Sequence, residues 1–94
     1  MFARVTIARS PGTVEDTLKE VNERVVPQVR GLAGFKSARW VADRGNNTMV
    51  GVVVFESEEA LRDSSEAAAA MRAQGTERIG VSFEVYEGEV VLEI

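Results

Sequence analysis

The sequence predicts an α+β domain of four strands and two helices in the order β-α-β-β-α-β. Period-two alternation of apolar residues marks four segments, around residues 2–8, 35–42, 48–55 and 81–86. Two stretches between them, opening at Thr13 and Ser57, show apolar spacings of three and four or runs of strong helix formers instead. Gly, Pro and Asn gather at the junctions.

In the first strand, Ala3, Val5 and Ile7 share one face and Arg4 and Thr6 the other, as in a half-buried strand. Ser10-Pro11-Gly12 breaks it. Thr13 stands where a helix needs a cap, and Glu15 and Asp16 suit the positive end of the helix dipole. Val14, Leu18, Val21, Val25 and Val29 form one apolar stripe, with Glu15–Lys19 and Glu20–Arg24 as i,i+4 pairs outside it. Pro27 lacks an amide hydrogen and its ring crowds the preceding turn, so the regular helix should kink or end near Val26. Gly31 and Gly34 supply the exit.

Phe35 to Ala42 and Thr48 to Phe55 form a hairpin around Asp43-Arg44-Gly45-Asn46-Asn47. If the loop has four residues, Trp40 lies opposite Gly51, where the indole would cover bare backbone. Val50, Val52 and Val54 occupy one face of the third strand; Met49, Val53 and Phe55 occupy the other. A strand apolar on both faces is central and covered on both sides. Ser57 caps a second helix with Glu58 and Glu59 in its first turn. This helix passes through Leu61, Ser65, Ala68 and Met71 towards Gly75, and its small inner residues pack closely on the sheet or leave space above it. Val81, Phe83 and Val85 alternate with Ser82, Glu84 and Tyr86 in the fourth strand. Glu87-Gly88-Glu89 is expected to interrupt it before the apolar tail Val90 to Ile94.

This order is the split βαβ pattern of the ferredoxin-like fold: one domain over residues 1–94, a four-stranded antiparallel sheet, and two helices on one face. The apolar second face of the third strand and the apolar tail need a covering surface. A homodimer in which two sheets pack face to face, with tails exchanged or clasped, supplies it.

Composition narrows the chemistry. The net charge is −4 and the 11 Lys and Arg residues are scattered singly, so no basic stripe marks a nucleic-acid or polybasic membrane contact. No apolar run approaches the roughly 20 residues that span a bilayer, no secretory signal pattern opens the chain, and a cytoplasmic location is expected. Without Cys there is no thiolate chemistry, and without His there is no imidazole base or haem ligand. No cofactor and no metal are expected. The turn Asp43 to Asn47 lacks the spacing of a calcium loop, and Gly12, Gly31, Gly34 and Gly45 form no phosphate-binding pattern.

The segment Pro27 to Phe35, ending Gly-Leu-Ala-Gly-Phe, resembles the close of the first helix in dimeric α/β-barrel proteins. The strand Ser37 to Asp43 with its Trp40, the turn to Asn47, and Val52-Val53-Val54-Phe55-Glu56-Ser57-Glu58-Glu59-Ala60 resemble the same superfamily. It includes the antibiotic-biosynthesis-monooxygenase type and stress-responsive relatives. The resemblance covers nearly the whole chain and implies a dimeric α/β barrel. It also implies a choice of activities. One branch oxidises polycyclic aromatic compounds without metal or flavin, with Asn, Trp, Tyr or Arg beside the substrate. Another degrades haem held by a His ligand, which this chain lacks.

Trp40, Phe55, Met71, Tyr86 and Arg39 are the candidate pocket residues, with Ser64, Ser65 and Ala68 leaving room above the sheet. Each has a plainer role: Trp40 covers Gly51, Tyr86 sits at a dimer face, and Met71 fills a gap. Arg4 and Glu84, on neighbouring strands, are expected to meet between the two sheets as a register-fixing ion pair or an anion site. The first functional reading is a small homodimeric protein that binds a small aromatic or hydrophobic molecule between sheet and helices. The alternatives are a cofactor-independent monooxygenase and a structural dimer without a ligand.

Overall fold

A computed structural model describes all residues, 1–94. Strand β1 (Phe2–Arg9) leads to helix α1 (Val14–Glu20), which passes through a π-helical segment (Val21–Val25) into α2 (Val26–Arg30). Strand β2 (Phe35–Asp43), a 3-10 turn (Arg44–Asn46) and β3 (Thr48–Phe55) make the hairpin. Helices α3 (Glu58–Asp63) and α4 (Ser65–Ile79) lead to β4 (Ser82–Glu89). The four strands form one antiparallel sheet in the order β2-β3-β1-β4, with the helices on one face. This is the ferredoxin-like α+β fold that the element order predicts.

Register decides which residues meet the helices. Phe2, Arg4, Thr6 and Ala8 share a face with Met49, Gly51, Val53 and Phe55 of β3 and with Phe83, Val85 and Glu87 of β4. Ala38, Trp40 and Ala42 complete it from β2. Val14, Val21, Ala8, Met49 and Val81 pack as one core cluster here, and Phe55, Ala60 and Leu61 as a second. The apolar set Ala3, Val5 and Ile7 lies on the other face, with Val50, Val52 and Val54, flanked by Arg39, Val41, Glu84 and Tyr86. The polar face of β1 is therefore the one beneath the helices. Val41 and Tyr86 on the valine-rich face are exposed, and both core clusters draw on the other face alone, so no helix covers the valines.

Several local features depart from expectation. Pro27 does not end the helix, but regular α-helix is interrupted up to Val25, next to the expected position. The regular α-helix gives way six residues earlier, and the π-helical segment carries the chain past Pro27 to Arg30. One wider turn absorbs the ring that would clash in a regular helix. Thr13 occupies the cap position with extended backbone, but its side chain makes no capping bond. Ser57 does cap its helix, accepting from the Ala60 amide at 3.1 Å. Glu20 pairs with Arg24 at 3.4 Å, whereas Glu15 reaches Arg44 at 2.9 Å instead of Lys19. The second helix breaks at Ser64 and continues past Gly75 to Ile79, where Gly80 at φ +69° ends it. Glu87-Gly88-Glu89 does not interrupt β4, because pairing with β1 holds it to Phe2↔Glu89. Beyond it, the Val90 amide donates to the Met1 carbonyl at 2.8 Å, and Val91, Leu92 and Ile94 are exposed. No helix is long and apolar enough to cross a membrane.

Candidate functional site

Between the sheet and the helices lies a cavity of about 100 Å³ lined by 14 residues, 10 of them hydrophobic. Its floor is the sheet: Thr6 from β1, Trp40 from β2, and Gly51, Val53 and Phe55 from β3. Its roof comes from both helical segments. Val21 and Val25 belong to the π-helical segment, so the wider turn that accommodates Pro27 also shapes the wall. Ala68, Met71 and Arg72 descend from α4, where Ala68 is a small residue in the roof.

Trp40 pairs with Gly51 across the hairpin, as the four-residue loop requires. A Cβ placed on Gly51 would stand 2.6 Å from the indole Nε1 and 2.8 Å from Cδ1. The ring therefore lies flat on bare backbone, a position that no other residue at 51 allows without a shift. Trp40 and Val29 also line a second depression, of about 210 Å³, beside Val26, Arg30 and Phe35. The indole thus stands between the inner cavity and a groove alongside β2.

Three polar side chains reach the cavity wall: Arg4, Thr6 and Arg72. Arg4 is 4% exposed. Its Nε donates to Glu87 at 2.6 Å, Nη1 to the Ser64 hydroxyl at 2.9 Å, and Nη2 to the Leu61 carbonyl at 3.0 Å and to Ser65 at 3.4 Å. The guanidinium also lies 5.7 Å from the centre of the Phe55 ring. Arg4 thus joins the Ser64 amide and hydroxyl on the Leu61 carbonyl where α3 breaks, and the two serines expected to leave room are spent on this cluster. Its charge is neutralised by Glu87. Arg72 differs: it takes part in none of the ion pairs or side-chain hydrogen bonds of the chain. Burial, with Arg4 adding to it, pushes the Arg72 guanidinium below its ordinary value, and Glu87 opposes them.

Of the residues singled out by sequence, Trp40, Phe55 and Met71 stand together on the cavity wall. Arg39 and Tyr86 do not. Both fall on the opposite face of the sheet, Arg39 opposite Val52 and Tyr86 opposite Val5, because strand residues alternate and theirs have the wrong parity. The expected Arg4–Glu84 pair is absent for the same reason. Glu84 lies across from Ile7 on the valine face and bonds to Arg9 at 3.2 Å and to the Tyr86 hydroxyl. Those bonds hold the Glu84 carboxyl below its usual range, the Tyr86 hydrogen bond first and Arg9 second. In return Glu84 raises the Tyr86 phenol. Arg72 was missed by sequence reasoning. A helix arginine one residue after an apolar stripe position reads as solvent-facing, and only the sheet beneath α4 shows otherwise.

No family model matches the sequence, and no curated protein matches it. Solved structures do match. SnoaB, a cofactor-independent oxygenase from Streptomyces nogalater, superposes with a TM-score of 0.75 at 16% identity, over 99% of this chain and 95% of that one. A dimeric ferredoxin-like protein from an uncultured marine organism gives 0.75 at 14% identity, over 100% and 98%. A Streptomyces coelicolor monooxygenase in complex with the ligand Nanaomycin D gives 0.63 at 19% identity, over 99% and 91%. The chain thus has the ferredoxin-like fold that these solved structures share.

Proposed function

We propose that this chain is a homodimeric binding protein for a small, predominantly apolar molecule held between sheet and helices. The observation that carries the reading is the cavity itself: a concave space walled mainly by hydrophobic side chains with a few polar groups is the usual form of a small-molecule site. Trp40 and Phe55 offer aromatic walls to a flat ligand. Self-association is supported by the valine-rich sheet face, by the exposed Val91, Leu92 and Ile94, and by the likeness to a dimeric ferredoxin-like protein. Haem held through His or Cys is disfavoured, because the chain has neither residue.

A cofactor-independent oxygenase is the second reading, favoured by the likeness to the Streptomyces nogalater enzyme. In such chemistry the ionised aromatic substrate itself gives electrons to dioxygen, so a chain without His could support it. One experiment separates the two. Trp40 is the only Trp, so its emission reports a ligand lying against it. Naphthol- and anthrone-like compounds are titrated while oxygen uptake is recorded. Quenching without uptake supports the binding protein, and uptake that needs no added metal or flavin supports the oxygenase. No response in either channel refutes both and leaves a structural dimer.

A further inference from the structure

Resting on the reading of the cavity as a binding site, we infer that its ligand is a monoanion, a small aromatic or branched aliphatic carboxylate whose acid group is held by Arg72. The inference starts from a charge imbalance. No Asp or Glu lines the cavity, yet two arginines do. One of them is fully committed: Arg4 spends its Nε on Glu87 and its two terminal nitrogens on Ser64, Ser65 and Leu61. Arg72 forms no ion pair within the chain, and its part-exposed guanidinium keeps donors available to a ligand in the cavity.

Partly burying an arginine beside a second cation disfavours its charge, and within the chain only Glu87, already paired with Arg4, works against that. The direction of its titration shows the same imbalance, since burial and Arg4 both disfavour the charged form. An anion entering the cavity supplies the missing charge, and a planar carboxylate matches the guanidinium fork. The single uncommitted cation sets the charge at one, which disfavours phosphate esters. The hydrophobic walls set the rest: ring or branched carbon against Trp40, Val53, Phe55 and Met71. The remaining polar lining group, Thr6, carries a hydroxyl that makes no side-chain hydrogen bond within the chain and is free to serve the ligand.

The test compares acids with their neutral isosteres in the intact protein. Benzoate, phenylacetate and 3-methylbutanoate are titrated beside the corresponding primary amides, by calorimetry and by Trp40 emission. At least one acid should bind about tenfold or more tightly than its amide, the discrimination expected of a charge-assisted hydrogen bond. In Arg72→Gln that ratio should fall to near one with amide affinity unchanged, and Arg72→Lys should retain part of it. Melting curves verify that the variants fold. If acid and amide bind equally to the unmodified protein, or if the preference survives in Arg72→Gln, the inference is overturned while the cavity reading stands. If none of the six compounds binds, both are overturned.

Discussion

Replacing Gly51 by Ala tests the contact on which the cavity floor depends. The new methyl would stand 2.6 Å from Nε1 and 2.8 Å from Cδ1 of Trp40. Non-bonded carbons rest at about 3.5–4.0 Å, so the indole must retreat by roughly 1 Å. The ring has little freedom to do so, because it packs against the cluster of Val14, Val21 and Met49 and forms the partition towards the β2 groove. Overpacking of this kind costs about 1–3 kcal/mol. Removing a glycine from a strand interior returns about 0.5–1 kcal/mol through reduced freedom of the unfolded chain. The net expectation is about 1 kcal/mol of destabilisation, a fall in Tm of about 4–8 °C for a domain of this size. Urea and thermal unfolding followed by circular dichroism measure it. The same substitution in a Trp40→Leu background should cost nothing, since the obstructing ring is gone. Equal stability of Gly51→Ala and the unmodified protein would refute the contact, and so would an unchanged penalty without the indole.

Arg4→Met should lower stability by about 1–3 kcal/mol, because it removes the bonds to Ser64 and the Leu61 carbonyl and leaves Glu87 without its cation; chemical denaturation reads the change. Tyr86 is the only tyrosine, so ultraviolet titration isolates it, and its midpoint should lie above the ordinary phenol value and return towards it in Glu84→Gln. The linkage has a sign at each end of the pH scale. The depressed Glu84 adds stability above its ordinary range that is lost as pH falls through its folded value, and the raised Tyr86 adds stability that is lost as pH rises through its own. Light scattering at micromolar concentration should give twice the 10.2 kDa chain mass, and Val52→Lys on the uncovered sheet face should return it to one chain. Deleting residues 89–94 should weaken the dimer as well; a truncated chain with unchanged mass and melting temperature would show that the tail takes no part.

The order of elements, the hairpin register and the Trp40–Gly51 contact were legible in the sequence because each follows from local signals: alternation, turn residues and loop length. The identity of each sheet face was not. In β1 the apolar residues Ala3, Val5 and Ile7 look like the core side, and Arg4 and Thr6 like the wet side. The reverse holds because the break at Ser64 places a carbonyl and two hydroxyls directly over Arg4. That complement comes from residues about 60 positions away, beyond any local pattern. The same parity removed Arg39 and Tyr86 from the cavity, and the packing of α4 on the sheet brought in Arg72. Alternation states that two faces differ, and only tertiary contacts state which of them the helices cover.

The sheet order β2-β3-β1-β4 also governs how the chain reaches its structure. β1 is central, yet its partners β3 and β4 come later, and Arg4 waits for groups 57, 60, 61 and 83 positions away. The β2–β3 hairpin needs only a four-residue loop and can form early. β1 cannot be seated until both of its neighbours are present. High sequence separation of this kind slows folding and prolongs the time that strand edges stand open. On the ribosome, the valine-rich β3 would emerge well before β4, so the interval before the last strand arrives is the window in which this chain is most exposed to aggregation.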